Sequence, residues 1–494
     1  MADICELHTY DPIFTWCNRK AADALRNLLS YEYEVWEKKQ FGKKRKMYKR
    51  YLIEGRNYGN YYFLSGFVDR CIDYLHKNGI EYQYTTDIPE LRFNGPHLET
   101  IQFREYQLNL INVAIERGYG VILSPTGSGK SIILYGVISC FPVENILILV
   151  HSLDLVKQLH DGLQELGFTG TGIYSRGKPM HRITVCTVQS YAKVADKWKT
   201  HWDVVIVDEG HHIGNPYKGW YYDALTYTKC PWRFAFTATL SDRAEARFAL
   251  EGLIGPVIGE LTMAEGQDLG FLATPEIIFR VVPVPEEVRN IRRDTAYSKI
   301  YTEGIVNNWT RNAKMAFEAE REVKNSGTVL ILVSRIAHIA KIIEFMDMPV
   351  EIVQGSVSKE QRSIIKEELK NGDISCVITT IAWVEGVDIP SLSMVINAAG
   401  GISERETLQK IGRGLRKTEN KNTVKIIEFM DIANIPRNIL KPARDAHILH
   451  RQSVIRWEIY EGQGWKPILV QEDKHYVKEP IRKLLNDKEN QNRL

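Results

Sequence analysis

The stretch SPTGSGKS, residues 124–131, lies between two apolar runs at 119–123 and 132–138. Small residues followed by one lysine suit either a plain strand-to-helix turn with a surface lysine or a cradle for a phosphate chain. For the cradle, a strand ending at Leu123 and a helix opening at the lysine would aim backbone N–H groups at an anion. Gly127 and Gly129 let the chain curl around that anion with no side chain in the way. Pro125, Thr126, Gly127, Ser128 and Gly129 would then wrap the phosphates, Lys130 would reach the terminal ones, and Ser131 would hold a Mg2+ ion. Ser124 stands where the strict pattern has its first glycine.

A second group follows at VVIVDEGHH, residues 204–212. Four apolar residues make a buried strand, with Asp208 and Glu209 at the C-terminal end, where open α/β sheets bind ligands. Asp208 suits a Mg2+ ion held through its water shell, and Glu209 suits the orientation and deprotonation of an attacking water. Two acids in a solvated loop is the alternative, and their place downstream of the 124–131 loop weighs against it. His211, in this company, is read as a residue that couples the site to its surroundings. A third group, QKIGRGLRK at 409–417, sets Arg413 and Arg416 three residues apart on one helical face, with Gln409 a turn before. A transferring phosphoryl group gains from a cation that arrives only in a closed state. If the unit carrying these arginines packs across a cleft from the loop, binding closes the site and hydrolysis opens it. A basic surface helix is the plainer alternative.

These groups need elements to hold them. Residues 96 to about 275 alternate β-branched runs (VILS, ILILV, ITVCT, VVIVDE, FAFTAT) with helical stretches, and the rhythm returns from about 320 with TVLILVS, VEIVQG, CVITT, MVINAA and VKIIEFM. That is the pattern of parallel sheets with crossover helices. VVPVPEEV, 281–288, reads as a connector between the two units. Residues 1–95 are rich in aromatic and basic residues, and 451–494 hold the end of an amphipathic helix and a charged tail. The domain expectation is therefore 1–95, 96–275, 276–450 and 451–494. The 494 residues are 44% hydrophobic and 25% charged, as in ordinary globular chains. A net charge of +3 gives no argument for nucleic acid from the total and leaves it to a local cluster. Seven scattered cysteines without a CxxC pair read as reduced thiols of a cytoplasmic protein. No apolar run approaches the ~20 residues that span a bilayer.

In this order the segments resemble superfamily 2 helicases of the DExH type. The match runs through about 340 residues. FREYQ, 103–107, is similar to the family's adenine-recognition element, which implies a base contact from Gln107 with Arg104 nearby. SPTGSGKS resembles motif I and DEGH motif II. LVHSLDLVKQL and TVQS resemble motifs Ia and Ib, implying strand contacts from His151, Ser152, Thr187 and Gln189, although His151-Ser152 replaces the usual Pro-Thr. TAT, 237–239, resembles motif III, which implies a coupling role for Thr237 and Thr239 beside His211 and Gln409. LVSR resembles motif IV, implying strand contacts from Ser334 and Arg335. ITTIAWVEGVDIP resembles motif V, with Thr380 toward the strand and Gly386 and Asp388 toward the nucleotide. Motif VI would supply Arg413 and Arg416 as arginine fingers. The resemblance implies two RecA-like lobes in tandem behind a small N-terminal α+β domain, with ATP and Mg2+ as cofactors. Within the superfamily the chain is most similar to phage branch-migration helicases of the UvsW type, and more distantly to RecG and XPB-like translocases.

KKQFGKKRKMYKRYLIEGRNYGNYY, 38–62, mixes basic and aromatic residues. Basic groups release counterions from phosphates and aromatics stack on bases, so Lys43, Lys44, Arg45 and Lys49 are expected on the backbone of one arm of a branched duplex. A solvated hairpin is the alternative. The expected activity is ATP-driven remodelling of branched or forked DNA in recombination, repair and replication, by a monomer in the cytoplasm, the host's if a phage encodes it. Three other readings compete: an RNA helicase, the translocase subunit of a restriction system, and a DNA-binding scaffold with a decayed ATPase. The intact Lys130, Asp208, Glu209, Arg413 and Arg416 argue against decay.

Overall fold

The computed structural model of the chain describes residues 4–38, 43–56, 60–88, 93–175, 180–289, 296–355, 357–380, 392–401, 423–433, 438–441 and 446–470. The chain divides into two compact units, one of residues 1–125 and 129–262, the other of 126–128 and 263–494.

The first unit begins with strands β1 (Cys5–Thr9) and β2 (Phe14–Cys17), a hairpin of β3 (Ser30–Lys38) and β4 (Lys43–Tyr51), then β5 (Glu54–Arg56), β6 (Asn60–Leu64) and β7 (Tyr82–Thr86). Five of them form a mixed sheet in the order β5-β6-β2-β1-β7, and β3 and β4 pair only with each other. Helices α1 (Arg19–Leu25) and α2 (Val68–Lys77) complete an α+β layer. The Asn18 side chain starts α1 by accepting from the Ala21 N–H at 2.9 Å, which satisfies one of the orphan donors of a helix start.

The same unit continues with α3 (Glu105–Arg117), β8 (Tyr119–Leu123), α4 (Lys130–Ser139), β9 (Ile146–Val150), α5 (Leu153–Glu165), β10 (Thr171–Ile173), β11 (Ile183–Thr187), α6 (Val188–Ala192), β12 (Val204–Asp208), α7 (Trp220–Tyr227), β13 (Trp232–Thr237), α8 (Ala244–Leu253) and β14 (Val257–Glu260). The strands form a seven-stranded sheet, β10-β11-β9-β12-β13-β8-β14, and every pairing in it is parallel. Continuous apolar runs are required because helices cover both faces; β9, β11 and β12 are buried at every residue.

The N-terminal layer is fused to this sheet by a shared core. One hydrophobic cluster runs from Cys5, Phe63 and Phe67 through Leu250 and Leu253 of α8 to Val121, Leu149 and Val207. Around it, Arg70 grips Glu251 with two parallel hydrogen bonds of 2.6 and 2.5 Å, and Arg117 meets Asp69 at 2.5 Å. Gly66 presses so closely on α8 that a Cβ there would lie 1.9 Å from the Glu251 carbonyl oxygen.

The second unit repeats the architecture. Its strands are β15 (Thr274–Pro283), β16 (Val329–Val333), β17 (Glu351–Val353), β18 (Cys376–Thr380), β19 (Met394–Asn397), β20 (Thr423–Ile432) and β21 (Ile468–Val470), ordered β17-β18-β16-β19-β20-β15-β21 and all parallel. The connector expected at 281–288 is corrected here. Residues up to Pro283 belong to β15, which pairs with β20 over ten positions. Pro283 suggested a break, but it sits at the strand's last position, where a missing N–H costs nothing. The helix Ile448–Gly462 locks onto β20 through buried polar groups. Glu428 accepts from Asn397, Tyr460 and Arg456 at 2.7, 2.6 and 2.9 Å, so its buried charge is fully paired.

Replacing Gly66 with valine should push the N-terminal layer off α8 and destabilise the first unit by about 1–3 kcal/mol, the cost of overpacking a fitted contact. Calorimetric unfolding of the full chain checks this; an unchanged first-unit transition would contradict it.

Candidate nucleotide and nucleic-acid site

The loop between β8 and α4 holds its shape through its glycines. Gly127 and Gly129 have φ of +88° and +79°, a region closed to most side chains. A Cβ on Gly129 would also lie 2.7 Å from the Gln107 amide nitrogen, so Gln107 packs directly on the loop. Gln107 is buried, and its side-chain oxygen accepts from the Arg104 N–H at 3.0 Å. The structure thus brings the expected base-reading segment and the phosphate loop together. The loop is anchored where the Ser124 N–H donates to the Thr237 carbonyl at 3.0 Å.

Lys130 opens α4 and Ser131 follows it on the first turn. The Lys130 ammonium lies 3.0 Å from Glu209 and 3.9 Å from Asp208, the two acids at the end of β12. Glu209 has φ +53° and is one of two non-glycine residues with positive φ among the described residues. Such a conformation costs about 1–3 kcal/mol and persists only when its surroundings over-determine it. Here the Glu209 N–H donates to the Asp208 carboxylate at 2.9 Å, and the side chain is gripped by Lys130 and His211. Burial pushes the Asp208 carboxyl up from its ordinary range, against the pull of Lys130. Burial pushes Glu209 the same way, yet Lys130 and the His211 hydrogen bond outweigh it and hold the carboxyl well below the usual carboxylate range.

His211 extends the chain of contacts. Its Nδ1 lies 3.2 Å from Glu209 Oε2 and 3.0 Å from Thr237 Oγ1. The single hydroxyl proton of Thr237 goes to the Thr239 carbonyl at 3.1 Å, so Thr237 accepts from His211 and Nδ1 carries the ring proton. Thr239 Oγ1 is buried with no hydrogen-bond partner among the described residues. Two of the residues expected to couple, His211 and Thr237, thus stand in one line of contacts with Lys130 and Glu209: Lys130–Glu209–His211–Thr237.

ATP and Mg2+ fit these residues. The cradle is one that a Cβ would fill at Gly129, a lysine waits among acids at the helix start, and the Ser131 hydroxyl and Asp208 carboxylate are hard oxygen donors of the kind Mg2+ takes beside phosphates and water.

The expected strand-contact residues of the first unit lie at the ends of β9 and β11. Ser152 caps α5, accepting from the Leu155 N–H at 3.4 Å, and the Gln189 amide donates to the His151 carbonyl at 3.4 Å. Thr187 is buried, and its hydroxyl bonds the Ser190 hydroxyl at 2.9 Å at the cap of α6. The structure thus places Thr187 at the cap of α6. In the second unit, Arg335 donates to the Thr302 hydroxyl at 2.6 Å and stacks over Tyr301 at 4.6 Å, Ser334 is exposed, and Thr380 ends β18. Gly386, Asp388, Gln409, Arg413 and Arg416 lie outside the described residues, as do the side chains of Lys43, Lys44 and Arg45.

The basic stretch forms a full hairpin, β3 against β4, paired from Ser30↔Tyr51 to Lys38↔Lys43. Nine residues per arm give a projection of about 30 Å. Its base is fixed to the first unit: Tyr31 stacks on Phe248 at 5.8 Å, Arg50 lies over the Tyr217 ring at 4.4 Å, and the Tyr217 hydroxyl donates to the Tyr51 carbonyl at 2.7 Å. Beyond the base, Tyr33, Lys46, Met47 and Tyr48 are exposed, with Tyr33 and Tyr48 stacked at 5.9 Å. Lys49 is exposed, but its ammonium donates to Asn27 at 2.9 Å. Register sets Glu32 opposite Lys49 and Glu37 opposite Lys44. Sequence reasoning passed over His212, whose ring stacks between those of His151 and His211 at 3.9 and 4.3 Å. The doubled histidine after the acid pair was its only trace.

Comparison with known proteins agrees with this geometry. Residues 100–242 match the family model described as "Type III restriction enzyme, res subunit", and residues 312–418 match "Helicase conserved C-terminal domain". A relative from Haloarcula marismortui named "Putative DNA 3'-5' helicase Rad25" is 26% identical over 326 residues, 64% of this chain and 51% of its own. The chain thus spans about half the length of that relative. The solved structure described as "The fragment structure of a putative HsdR subunit of a type I restriction enzyme from Vibrio vulnificus YJ016" shares the fold at TM-score 0.54 and 16% identity, over 76% of this chain and 70% of its own. The crystal structure of T4 UvsW aligns over 94% of this chain and 99% of its own, at TM-score 0.42 and 16% identity. Because the two models fall in tandem over about half of the residues, on the two parallel sheets whose strand ends carry these motifs, the chain belongs to the superfamily 2 helicases.

Proposed function

We propose that the chain is an ATP-driven DNA helicase or translocase that remodels branched DNA, migrating Holliday junctions, regressing forks and unwinding displacement loops. The observation that carries the motor reading is the Lys130–Glu209–His211–Thr237 line, in which the phosphate-loop cation is held by the acid placed to activate water. Residues 125–129 and the N–H groups at the start of α4 would cradle the triphosphate, and Ser131 and Asp208 would hold Mg2+. The bound metal supplies charge neutralisation on the phosphates. Lys130 would exchange Glu209 for the phosphates when the nucleotide binds. Paired with Glu209 it keeps that carboxyl a poor base; turned to the phosphates, it frees Glu209, whose burial then raises its affinity for the water's proton. Arg413 and Arg416 are the residues proposed to add positive charge in the transition state.

Branched DNA is favoured over a plain tract by the hairpin. A basic, aromatic arm fixed on the first unit can hold one duplex while the sheet ends grip another strand. The relative's name as a DNA helicase supports DNA over RNA. The seven cysteines are all buried and unbridged, which supports a reducing, cytoplasmic compartment, and no helix among the described residues is long and apolar enough to cross a membrane. A monomer is the proposed working unit. A restriction-system translocase subunit is the second reading, favoured by the description of the family model at 100–242. ATP-dependent processing of a synthetic mobile junction, beside a tailed duplex, linear duplex and RNA, separates these readings. Preferential processing of the junction supports the proposal; ATP turnover driven equally by linear duplex, with the junction left intact, removes it.

Lys130→Ala should abolish ATP turnover while leaving DNA affinity largely unchanged, because the lysine serves only the anions of the pocket. Substantial turnover in that variant would overturn its assignment. Neutralising Lys43, Lys44 and Arg45 should weaken fork binding and flatten its salt dependence by about one unit per lost phosphate contact. Titration at several salt concentrations reads this, and an unchanged slope would return the hairpin to a solvated surface feature.

A further inference from the structure

Three imidazoles join the two edges of the first unit's site. His151 is the first residue after β9, His212 ends the short turn Gly210–His212 after β12, and His211 lies beside it in that turn. The His151 and His212 rings are 3.9 Å apart and inclined by 35°, and those of His212 and His211 are 4.3 Å apart at 36°. The far end of the stack is chemical, with His211 Nδ1 at 3.2 Å from Glu209 and 3.0 Å from Thr237. The near end is the backbone at the start of α5, where Ser152 caps the helix and Gln189 holds the His151 carbonyl.

Sheet order explains why these ends meet. β9 lies between β11 and β12, so its C-terminal end separates the expected strand-contact edge from the acid pair by one strand spacing, about 4.8 Å. The turn after β12 cannot absorb a push by sliding away. Gly210 is seated on β13, where a Cβ would lie 2.9 Å from the Ala235 Cβ. A displacement of the His151 ring is therefore passed to His212, and from there to His211 and the Glu209 carboxylate. Close-packed side chains with few alternative arrangements carry such a displacement where a loose loop would dissipate it.

We propose that His151 and His212 are positioning residues that link a DNA strand seated at the start of α5 to the orientation of Glu209. DNA occupancy then raises ATP turnover by a route lying wholly inside the first unit. The inference rests on the motor reading above. It adds a path that uses neither the arginines of the second unit nor the nucleotide contacts themselves.

The test compares wild type with His212→Ala and His212→Phe. ATP turnover is measured without DNA and with saturating forked DNA, together with KM for ATP and the DNA Kd. His212→Ala should keep its unstimulated turnover, its KM and its DNA affinity, but lose at least about fivefold of the stimulation by DNA, the lower end of a typical coupling between sites. His212→Phe keeps a flat ring in the stack and should restore the stimulation. If His212→Ala fails to fold, His212→Gln replaces it, since it removes the ring while retaining volume and polarity. Stimulation in the ring-less variant equal to that of wild type overturns the link while leaving the motor reading intact. A wild-type chain whose turnover no DNA stimulates overturns the motor reading itself, and the link with it.

Discussion

Lys130 faces more negative charge than one ammonium can satisfy. It sits at the mouth of a helix start shaped for phosphates, and at 3.0 Å it already neutralises Glu209. An ion pair this close, in partly buried surroundings, is worth several kcal/mol of attraction before desolvation is counted. A ligand that draws the lysine away must therefore offer at least as much charge, and a triphosphate does. In the proposed mechanism that competition would give the acid two states: held low while paired with the lysine, and available as a base once the lysine has moved to the phosphates. The site's selectivity and its timing then come from the same contact.

The rest of the first unit makes that contact possible. Parallel order brings the ends of β8, β12 and β13 side by side, so loop, acids and Thr237 share one edge. Glu209 is held in a left-handed conformation that it would not choose alone, by Asp208, Lys130 and His211. The N-terminal layer shares a core with this sheet and turns the β3–β4 hairpin into a fixed arm.

Much of this was legible in the sequence, for identifiable reasons. Both sheets announce themselves because parallel strands buried on two faces must be apolar throughout, as ILILV and VLILV are. The loop and acid pair were legible because glycine, lysine and carboxylate at strand ends have few other uses together. The end of β15 is hidden because prolines at 283 and 285 look like punctuation, whereas Pro283 is the strand's last residue and Pro285 lies beyond it. The cap that the Thr187 hydroxyl makes at the start of α6 is not visible from the local sequence. The placing of Glu32 opposite Lys49 depends on register, which a list of residues does not contain. The histidine stack was hidden for the same reason, since His151 and His212 are far apart in the chain and meet only because β9 neighbours β12.

The contest for Lys130 is tested most directly by a structure of the chain with Mg2+ and a non-hydrolysable ATP analogue. The ammonium should leave Glu209 for the phosphates, opening the 3.0 Å contact while Glu209 keeps its hold on His211. An ammonium still paired with Glu209, with the phosphates bound elsewhere, would contradict the account.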